Sequence, residues 1–240
     1  MADYKVKLKR REEIASGTMA FHFDKPEGFS FKAGQFGDFT MADPPETDAE
    51  GNTRTFSFAS APCEGGLMVA TRMRDTAFKR VLKSIDLGAE LALDAAYGSF
   101  TLHEDAGTPA VFLTGGIGVT PVRSIVLQAA HDKLPHSITL VYSNRRPEDS
   151  AFLGELADAQ SANPNFKLVA TMTEMENSKT AWNGETGFID KAMLMRSIPD
   201  LSLPIYYVSG PRGMVAAMRK TLAEAGVKDD NVRTEEFSGY

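Results

Sequence analysis

The stretch from Ala110 to Pro121 constrains the fold of this chain more than any other part of its sequence. It opens with a short apolar run, Val111-Phe112-Leu113, that is typical of a strand covered on both faces. Three glycines then allow a sharp turn and the close approach of a ligand: Gly115, Gly116 and Gly118. Thr120 is expected to cap a helix that has Pro121 at its first position. The exposed amides of such a helix start favour a phosphate group, although a tight turn without a ligand is the alternative. The spacing is not the G-x-G-x-x-G fingerprint.

Beyond about residue 105, apolar strand patterns alternate with helical ones. The candidate strands are Ala110–Thr114, Ile138–Ser143, Phe166–Met172, Ile205–Ser209 and Val232–Glu235. The candidate helices are Pro121–Ala130, Ser150–Ala159, Lys191–Ser197 and Gly213–Glu224. This alternation predicts a parallel sheet with helices on both faces, in which ligands sit at the carboxyl ends of the strands. Gly115–Gly118, Asn144–Arg146 and Gly210–Gly213 all follow strand ends, which favours a nucleotide cleft there.

The first hundred residues have a different pattern, with many short strands separated by turn signals. The clearest example is the start of the chain, where Tyr4, Val6 and Leu8 alternate with lysines at the period of a half-buried strand. A short helix is predicted over Thr76 to Leu82. Such a pattern favours a small antiparallel β-barrel. The chain is therefore predicted to contain two domains, a barrel over residues 1–104 and an α/β domain over residues 105–240.

Composition narrows the possible functions. The 240 residues carry a net charge of −6, which makes duplex nucleic acid an improbable partner. No apolar run is long enough to span a bilayer, and the N-terminus lacks the apolar core of a signal peptide, so we expect a cytoplasmic protein with no membrane partner. The single Cys63 excludes an iron–sulfur cluster held by cysteines of this sequence alone. The four histidines show no metal-ligand spacing, and no metal site is predicted.

Six segments, in this order along the chain, resemble the ferredoxin–NADP reductase superfamily over nearly the whole length. They are Gly34-Gln35-Phe36, Arg54-Thr55-Phe56-Ser57, Tyr97-Gly98-Ser99-Phe100, Thr114 to Pro121, Gly210-Pro211-Arg212-Gly213-Met214 and Glu236-Phe237. The resemblance implies a barrel domain that binds FAD, followed by an NAD(P)-binding domain. It also implies a reductase component without an iron–sulfur domain.

The resemblance implies a flavin site around Arg54-Thr55-Phe56-Ser57. Arg54 is expected to pair with the flavin pyrophosphate, and Phe56 is expected against the isoalloxazine ring. One of Phe56 and Phe58 is expected in the barrel core. Ser57 is expected near flavin N5, and the region of Arg72 and Thr76 is expected to hold the pyrophosphate. The alternatives are a surface salt bridge for Arg54 and an ordinary helix cap for Thr76.

The resemblance also implies a nicotinamide site in the second domain. Residues expected to contact the dinucleotide are Gly115, Gly116, Gly118, Thr120, Arg145, Arg146, Gly210 and Pro211. The two arginines suit a 2′-phosphate, unless they pair only with Glu148 or Asp149. Ser209 is expected beside nicotinamide C4 or as a small packing residue. A terminal aromatic, Phe237 or Tyr240, is expected to cover the flavin ring. The expected catalytic residues are Ser57, Ser209 and Glu236.

These features together predict an FAD-dependent NAD(P)H oxidoreductase in which hydride passes between nicotinamide C4 and flavin N5. The cosubstrate is NADPH or NADH, with NADPH ranked first. Electrons then pass to a separate one-electron carrier such as a ferredoxin. One alternative is an NAD(P)H-dependent reductase of free flavin, ferric complexes or quinones. The other is a flavin-binding electron-transfer or regulatory subunit that does not oxidise nicotinamide.

Overall fold

A computed structural model describes residues 4–237, whose first part is an antiparallel barrel. Its strands are β1 (Tyr4–Ala15), β2 (Thr18–Asp24), β3 (Phe36–Thr40), β4 (Thr53–Ser57), β5 (Gly66–Arg72) and β6 (Glu90–Tyr97), and its helix is α1 (Ala77–Ser84). The strand order is β4-β3-β6-β1-β2-β5, with every pair antiparallel. The two outer strands approach each other, and a single bridge between Phe58 and Val69 joins this edge of the barrel.

The barrel interior is filled mainly by aromatic side chains. Phe21, Phe39 and Phe58 are almost completely buried and share one cluster with Phe78 of helix α1. The helix begins at Ala77 after Thr76, whose hydroxyl accepts a hydrogen bond from the amide of Lys79. Its apolar residues fall on one face, so α1 packs against the barrel while its charged side chains remain outside.

The second part is a parallel sheet between two layers of helices. Its strands are β7 (Ala110–Gly115), β8 (Ile138–Asn144), β9 (Phe166–Met172), β10 (Glu185–Thr186), β11 (Ile205–Pro211) and β12 (Val232–Phe237). Its helices are α2 (Val119–His131), α3 (Leu153–Ala162), α4 (Lys191–Ser197) and α5 (Arg212–Glu224). Helices α2 and α3 share one apolar cluster with the sheet, and α4 and α5 share another on the opposite face. The predicted fold class is confirmed.

The strand order of this sheet is β10-β9-β8-β7-β11-β12. Strands β8, β9 and β10 therefore lie in succession on one side of β7, and β11 and β12 lie on its other side. The change of direction lies between β7 and β11, and open parallel sheets bind ligands in the crevice at the carboxyl ends of such strands. The glycine-rich turn after β7 and the segment Ser209–Pro211 both lie at this point.

Helix starts are where the sequence interpretation was least accurate. Thr120 was expected to cap α2, but this was wrong, because a 3₁₀ turn over Gly116–Gly118 runs directly into a helix that already begins at Val119. The Thr120 hydroxyl instead donates to the carbonyl of Ile117 at 3.0 Å. Helix α3 starts three residues later than expected because Phe152 has a left-handed backbone. Strand β9 and helix α4 have the predicted bounds.

Candidate functional site

The crevice between β7 and β11 is built by backbones that approach each other very closely. A Cβ on Gly118 would lie 2.6 Å from the carbonyl oxygen of Ser209, and one on Gly115 would lie 2.3 Å from the sulfur of Met214. A Cβ on Gly210 would meet the backbone of Gly115 at 3.0 Å. These glycines are therefore required by contacts within the protein, before any ligand is considered. Gly116 differs, because its φ of 53° is left-handed, a conformation that glycine adopts without strain.

Ser209 ties the two sides of the crevice together. It is completely buried, and its hydroxyl donates to the carbonyl of Gly118 at 2.8 Å. This bond fixes the glycine turn against the end of β11. Pro211 ends β11, and helix α5 starts at the next residue. The packing role of Ser209 is thus evident in the structure, while contact with a nicotinamide stays a prediction.

A row of three polar side chains crosses the sheet at this crevice. Thr114, Ser209 and Glu235 are paired in register on β7, β11 and β12, so their side chains emerge on the same face. Within residues 4–237, the Thr114 hydroxyl and the Glu235 Oε2 atom are buried and make no hydrogen bond. Burial raises the pKa of the Glu235 carboxyl to about 7. Unpaired buried polar atoms are costly, and their proximity here indicates a polar ligand group.

The structure places Glu235, and not the predicted Glu236, on the strand face of Ser209. Successive strand residues face opposite sides, so Glu236 emerges away from Ser209. Its side chain is exposed and pairs with Arg212 at 3.0 Å. Glu235 shares the strand face of Phe237, one of the two aromatic residues expected to cover the flavin. The two-residue spacing between Glu235 and Phe237 was the signal that could have identified Glu235.

The barrel contributes a cavity of about 410 Å³ that reaches toward the crevice. It brings together the predicted flavin-site residues with Phe237 and with Ile117 of the glycine turn. Its lining comprises Glu50, Thr53, Arg54, Thr55, Phe56, Ser57, Ala70, Thr71, Arg72, Arg74, Thr76, Lys79, Ile117 and Phe237. The barrel strands, the turn after β7 and the end of β12 therefore form one continuous surface. Tyr240, the other predicted aromatic, lies outside the described residues.

This cavity is strongly cationic, although the chain as a whole is acidic. Within the described residues, Arg72, Arg74 and Lys79 form no ion pair with a carboxylate. The Lys79 ammonium donates only to the carbonyl of Arg72, at 2.7 Å. Burial, with Arg74 and Arg54 nearby, lowers the pKa of Lys79 to about 8. Three cations without a carboxylate partner in the described part of the chain make this cavity suited to a multiply charged anion.

Arg54 is held differently from the other cations. Its guanidinium donates to the carbonyls of Glu50 and Gly51 at 3.0 Å and lies 2.9 Å from the Glu50 carboxylate and 3.3 Å from that of Asp48. Asp48 also accepts from the amide of Ala77 at the start of α1. The loop after β3 therefore orients Arg54 along the cavity wall, and the surface salt bridge considered for it is part of that arrangement.

The aromatic residues of β4 lie deeper than the sequence suggested. Phe56 lines the cavity, yet its ring packs against Phe39 and Phe78, and Phe58 is completely buried. The expectation that only one of the two belongs to the barrel core was wrong, because residues two apart on a strand share a face. Thr55 faces the other way and donates to Asp38. Ser57 is nine-tenths buried or more and lines the cavity at the end of β4.

The loop after β8 carries two arginines with different surroundings. Arg146 is held along one edge of its guanidinium by the buried carboxylate of Asp149, to which Nε donates at 2.7 Å and Nη2 at 2.8 Å. Arg145 is 64% exposed, with a single contact to Glu174 at 3.4 Å. The alternative of internal pairing therefore holds for Arg146, whereas Arg145 remains accessible. Lys79, Thr114 and Glu235 are site residues that the sequence interpretation missed.

Comparison with known proteins gives the same picture. A family model described as "Oxidoreductase NAD-binding domain" matches residues 112–220. The chain is 27% identical over 92% of its length to a glycine betaine monooxygenase reductase subunit from Chromohalobacter salexigens, of which it covers 60%. It is 26% identical over 98% of its length to the propane 2-monooxygenase reductase component from Rhodococcus jostii, of which it covers 64%. The chain thus spans about three fifths of the length of these curated relatives.

Solved structures establish the fold independently. The FAD/NAD-binding domain of a nitric oxide dioxygenase from Vibrio cholerae superposes with a TM-score of 0.83 at 17% identity, with 99% of each chain covered. A ferredoxin NADP⁺ reductase from Neisseria gonorrhoeae, with bound FAD and NADP, superposes with a TM-score of 0.78 at 21% identity. That match covers 97% of this chain and 98% of the other.

The fold, the crevice and the family model define an oxidoreductase with a parallel-sheet domain for a nicotinamide dinucleotide. Residues 112–220 match the oxidoreductase NAD-binding family, and the whole chain has the fold of the ferredoxin–NADP reductase superfamily that its motifs resemble. The predicted family and cofactor class are therefore confirmed. No helix in the described part is long and apolar enough to cross a membrane. Nor do residues 4–237 contain a group of three metal-ligating side chains.

Proposed function

We propose that this chain is an FAD-dependent NAD(P)H oxidoreductase that passes electrons to a separate one-electron carrier. The observation that carries the proposal is the continuous surface formed by the barrel cavity, the glycine turn and the end of β12. Ser57 of the barrel, Ile117 of the turn and Phe237 of β12 all line the same cavity. A flavin held by the barrel and a nicotinamide held at the crevice would therefore meet there.

The barrel cavity supports FAD through its excess of positive charge. A pyrophosphate is a compact anion, and charge-assisted contacts to it are stronger than neutral hydrogen bonds. We assign Arg54, Arg72 and Lys79 to the pyrophosphate, together with Thr76 at the start of α1. Arg54 lines the cavity, and its two terminal nitrogens are oriented by backbone carbonyls and by the carboxylates of Glu50 and Asp48. Phe56, Ser57 and Phe237 are assigned to the flavin ring, and Tyr240 remains a second candidate for covering it.

The crevice supports the carboxamide of a nicotinamide. A carboxamide both donates and accepts hydrogen bonds, and it would satisfy the Thr114 hydroxyl and the Glu235 carboxyl, which have no partner within the described residues. Ser209 holds the turn against β11, and the left-handed Gly116 keeps the backbone of the turn open to the dinucleotide. Glu235 takes the catalytic assignment given to Glu236 from the sequence. With a pKa near 7, Glu235 can bind or release a proton close to neutral pH.

When bound, FAD supplies the redox chemistry, because a flavin takes two electrons from a nicotinamide as hydride and can release them singly. The chain's own residues bind and orient the two partners. Ser57 offers a hydroxyl at the end of the cavity, the aromatic side chain of Phe237 excludes water, and the glycine turn sets the approach of the coenzyme. Orientation of this kind is the main contribution a protein makes to a hydride transfer.

The choice of coenzyme rests on the loop after β8. A 2′-phosphate needs an accessible cation, and Arg145 is the accessible one of the two arginines. Because Arg146 is already paired with Asp149, the preference for NADPH depends on a contact from the exposed Arg145. The neighbouring Glu174 offsets part of the charge of that arginine. We therefore propose NADPH ahead of NADH with a modest ratio between them.

The acceptor is proposed from the relatives. Two of them are named as reductase components of monooxygenases, and those names describe proteins that deliver electrons to another protein. By analogy, a ferredoxin-type carrier is the proposed acceptor here. The test is anaerobic mixing of the purified FAD-loaded protein with NADH or NADPH, followed by addition of ferredoxins from the same cell.

Three outcomes decide the proposal. Bleaching of the flavin by a coenzyme, followed by reoxidation on adding a ferredoxin, supports it. If a coenzyme bleaches the flavin but the protein does not retain FAD through gel filtration, the result favours a reductase of free flavin. If neither coenzyme bleaches the flavin, the chain is an electron-transfer or regulatory subunit and the proposal is wrong.

A further inference from the structure

A buried arginine joins the barrel to the nucleotide-binding sheet at a distance from the proposed cofactor contacts. Arg123 lies on helix α2, and its side chain is only 4% exposed. Its Nη1 atom donates to the carbonyl of Ala59 at 2.6 Å and to Glu64 at 2.8 Å. Its Nε atom donates to Glu155 of helix α3 at 2.8 Å.

All five donors of this guanidinium are used. The Nη2 atom completes the set by donating to Glu64 at 3.1 Å and to Glu155 at 2.5 Å. The guanidinium also stacks over the ring of Phe152, 5.1 Å from its centroid. A fork with five donors in a fixed plane defines the relative positions of its partners, which a lysine cannot do. Burying such a charge is unfavourable unless every donor is satisfied, so the arrangement has one geometry.

Helix α2 connects this arginine directly to the crevice. The helix begins at Val119, immediately after the glycine turn, and Arg123 is one turn of helix further along. The next residue, Ser124, donates to the carbonyl of Ser60 at 2.7 Å, and Gln128 accepts from the amide of Cys63 at 2.8 Å. Three side chains of α2 therefore make hydrogen bonds to the barrel segment 59–64. Because a rigid helix tilts as a unit, a change in these hydrogen bonds moves the turn that contains Ile117.

We propose that Arg123 is a positioning residue, which fixes the separation between the flavin cavity and the nicotinamide crevice through its pairing with Glu64. The inference rests on the proposed function, since it concerns the approach of the two cofactors that function requires. Arg123 touches neither cofactor site. It acts through helix α2, whose first turn lies at the crevice.

The two carboxylates bound to Arg123 provide a matched comparison. Glu64 belongs to the barrel, so its bond to Arg123 crosses between the two sheets. Glu155 belongs to α3, which packs on the same sheet as α2, so its bond stays within one part. Their side chains are similarly exposed, at 37% and 41%. Replacing either one removes one carboxylate from the same arginine, but only Glu64→Gln removes an ion pair that crosses between the two sheets. The bonds of Arg123 to Ala59, of Ser124 to Ser60 and of Gln128 to Cys63 remain in both variants.

The experiment compares Glu64→Gln with Glu155→Gln in the FAD-loaded protein. We expect Glu64→Gln to slow anaerobic flavin reduction at saturating coenzyme by about 10-fold or more, since small misplacements of reactants have effects of this size. The long-wavelength charge-transfer absorbance, which arises when the reduced nicotinamide lies against the flavin ring, should also weaken in Glu64→Gln. Glu155→Gln should change the reduction rate and this absorbance by less than about 2-fold. The affinity for FAD should be the same in the two variants as in the parent.

A readout on the protein without cofactors tests the same idea. Hydrogen exchange of the backbone in segment 59–64 should be faster in Glu64→Gln than in Glu155→Gln. Glu64→Asp retains the charge but shortens the reach. It should give intermediate reduction rates, and it replaces Glu64→Gln if that variant does not fold.

Equal reduction rates in the two glutamine variants, with normal reduction of the parent, would overturn the inference alone. Absence of flavin reduction in the parent protein would overturn the proposed function, and this inference with it.

Discussion

The barrel cavity and the loop after β8 both carry basic residues that we propose to contact a phosphate, but the surroundings of most of these residues differ between the two regions. In the cavity, Arg72, Arg74 and Lys79 have no carboxylate partner within the described residues. In the loop, Arg146 is paired with Asp149, and Arg145 has one weak contact to Glu174. Apart from Arg54, which pairs with Glu50 and Asp48, the cavity keeps its positive charge available, whereas acids in the loop neutralise most of the charge there.

This difference indicates which phosphate the molecule is built to hold firmly. Unpaired cations in a half-enclosed cavity raise the free energy of the protein without ligand, so an anion that binds there relieves a cost. An exposed cation such as Arg145, which lies beside Glu174, offers a phosphate only a weak contact, because water and salt screen it. We therefore expect tight retention of FAD and weak discrimination between the two nicotinamide coenzymes.

The strongest test of the cavity is Arg54→Ala. The substitution removes a guanidinium assigned to the pyrophosphate, and charge-assisted contacts are worth about 1.5–3 kcal/mol, or about 10-fold to 100-fold in affinity. FAD titration of the protein without cofactor measures the loss. Arg80→Ala is the control, because Arg80 is exposed on α1, pairs with Glu46 and Asp75, and does not line the cavity. Equal FAD affinity in the two variants would contradict the placement of the pyrophosphate.

The crevice has its own unpaired group, and Glu235→Gln tests it through stability. Because the folded pKa of about 7 lies above the usual value of 4.5, the folded state holds its proton more strongly than the unfolded state. The parent should therefore lose stability as pH rises from 4.5 to 7, by about 1.4 kcal/mol for each unit of pKa difference. Urea unfolding at pH 5 and pH 8 should show a smaller drop in Glu235→Gln. The exposed Glu236→Gln should behave like the parent.

Gly116→Val separates the two regions functionally. A β-branched residue resists the left-handed φ of Gly116, with a strain of about 1–3 kcal/mol that distorts the turn. Flavin reduction at low coenzyme concentration should fall by about 10-fold, while FAD affinity stays unchanged. Gly154→Val is the control, since no atom lies within 4 Å of a Cβ at that position. Loss of FAD in Gly116→Val would mean that the turn belongs to the flavin site.

Lys79→Gln sharpens the account of the cavity through pH. The ammonium faces Arg54, Arg74 and Glu50, and its pKa near 8 means that it loses its charge just above neutral pH. FAD affinity of the parent should therefore fall as pH rises through 8. The variant should bind FAD about 10-fold more weakly at pH 7 and show a flatter profile. Lys83→Gln, on the exposed side of the same helix, should keep the parent profile, and a parallel shift in both variants would exclude a specific role for Lys79.

The smallest effect is expected at Arg145. An exposed arginine contributes about 1 kcal/mol or less, so Arg145→Ala should weaken NADPH by about 5-fold and leave NADH nearly unchanged. Stopped-flow reduction at several concentrations of each coenzyme measures this. In Arg146→Ala, the buried Asp149 is left unpaired, so stability should fall and both coenzymes should be affected alike. Equal losses of both coenzymes in Arg145→Ala would make this arginine structural, and a parent that already prefers NADH would contradict the interpretation of the loop.

Much of the fold was predictable because it follows from local periodicity. The apolar runs of β7 and β9 and the helical spacing of α4 are local signals, and the structure has them at or near the expected positions. The family motifs also led to the correct pair of cofactors. Local signals do not determine which strands lie side by side, so the row formed by Thr114, Ser209 and Glu235 became visible only in the structure.

The remaining misses have equally specific causes. The start of α2 was misplaced because a 3₁₀ turn and a helix share similar sequence preferences. Only the backbone geometry shows that the helix begins at Val119, rather than at Pro121 after a Thr120 cap. The pairing of Arg123 with Glu64 and Glu155 links residues 59 and 32 positions apart. No periodic pattern reports contacts of that range.

The close packing of Gly115, Gly118 and Gly210 has a consequence for how any library of variants is interpreted. At Gly118 and Gly210, even alanine would collide with backbone, and at Gly115 it would collide with Met214 and Pro211. Intolerance at these three sites would look like a binding signature in a selection for activity, although it reports only that two chain segments touch. Ligand contact should instead be judged from positions that have room for a side chain, and double variants such as Gly115→Ala with Met214→Ala can separate the two causes.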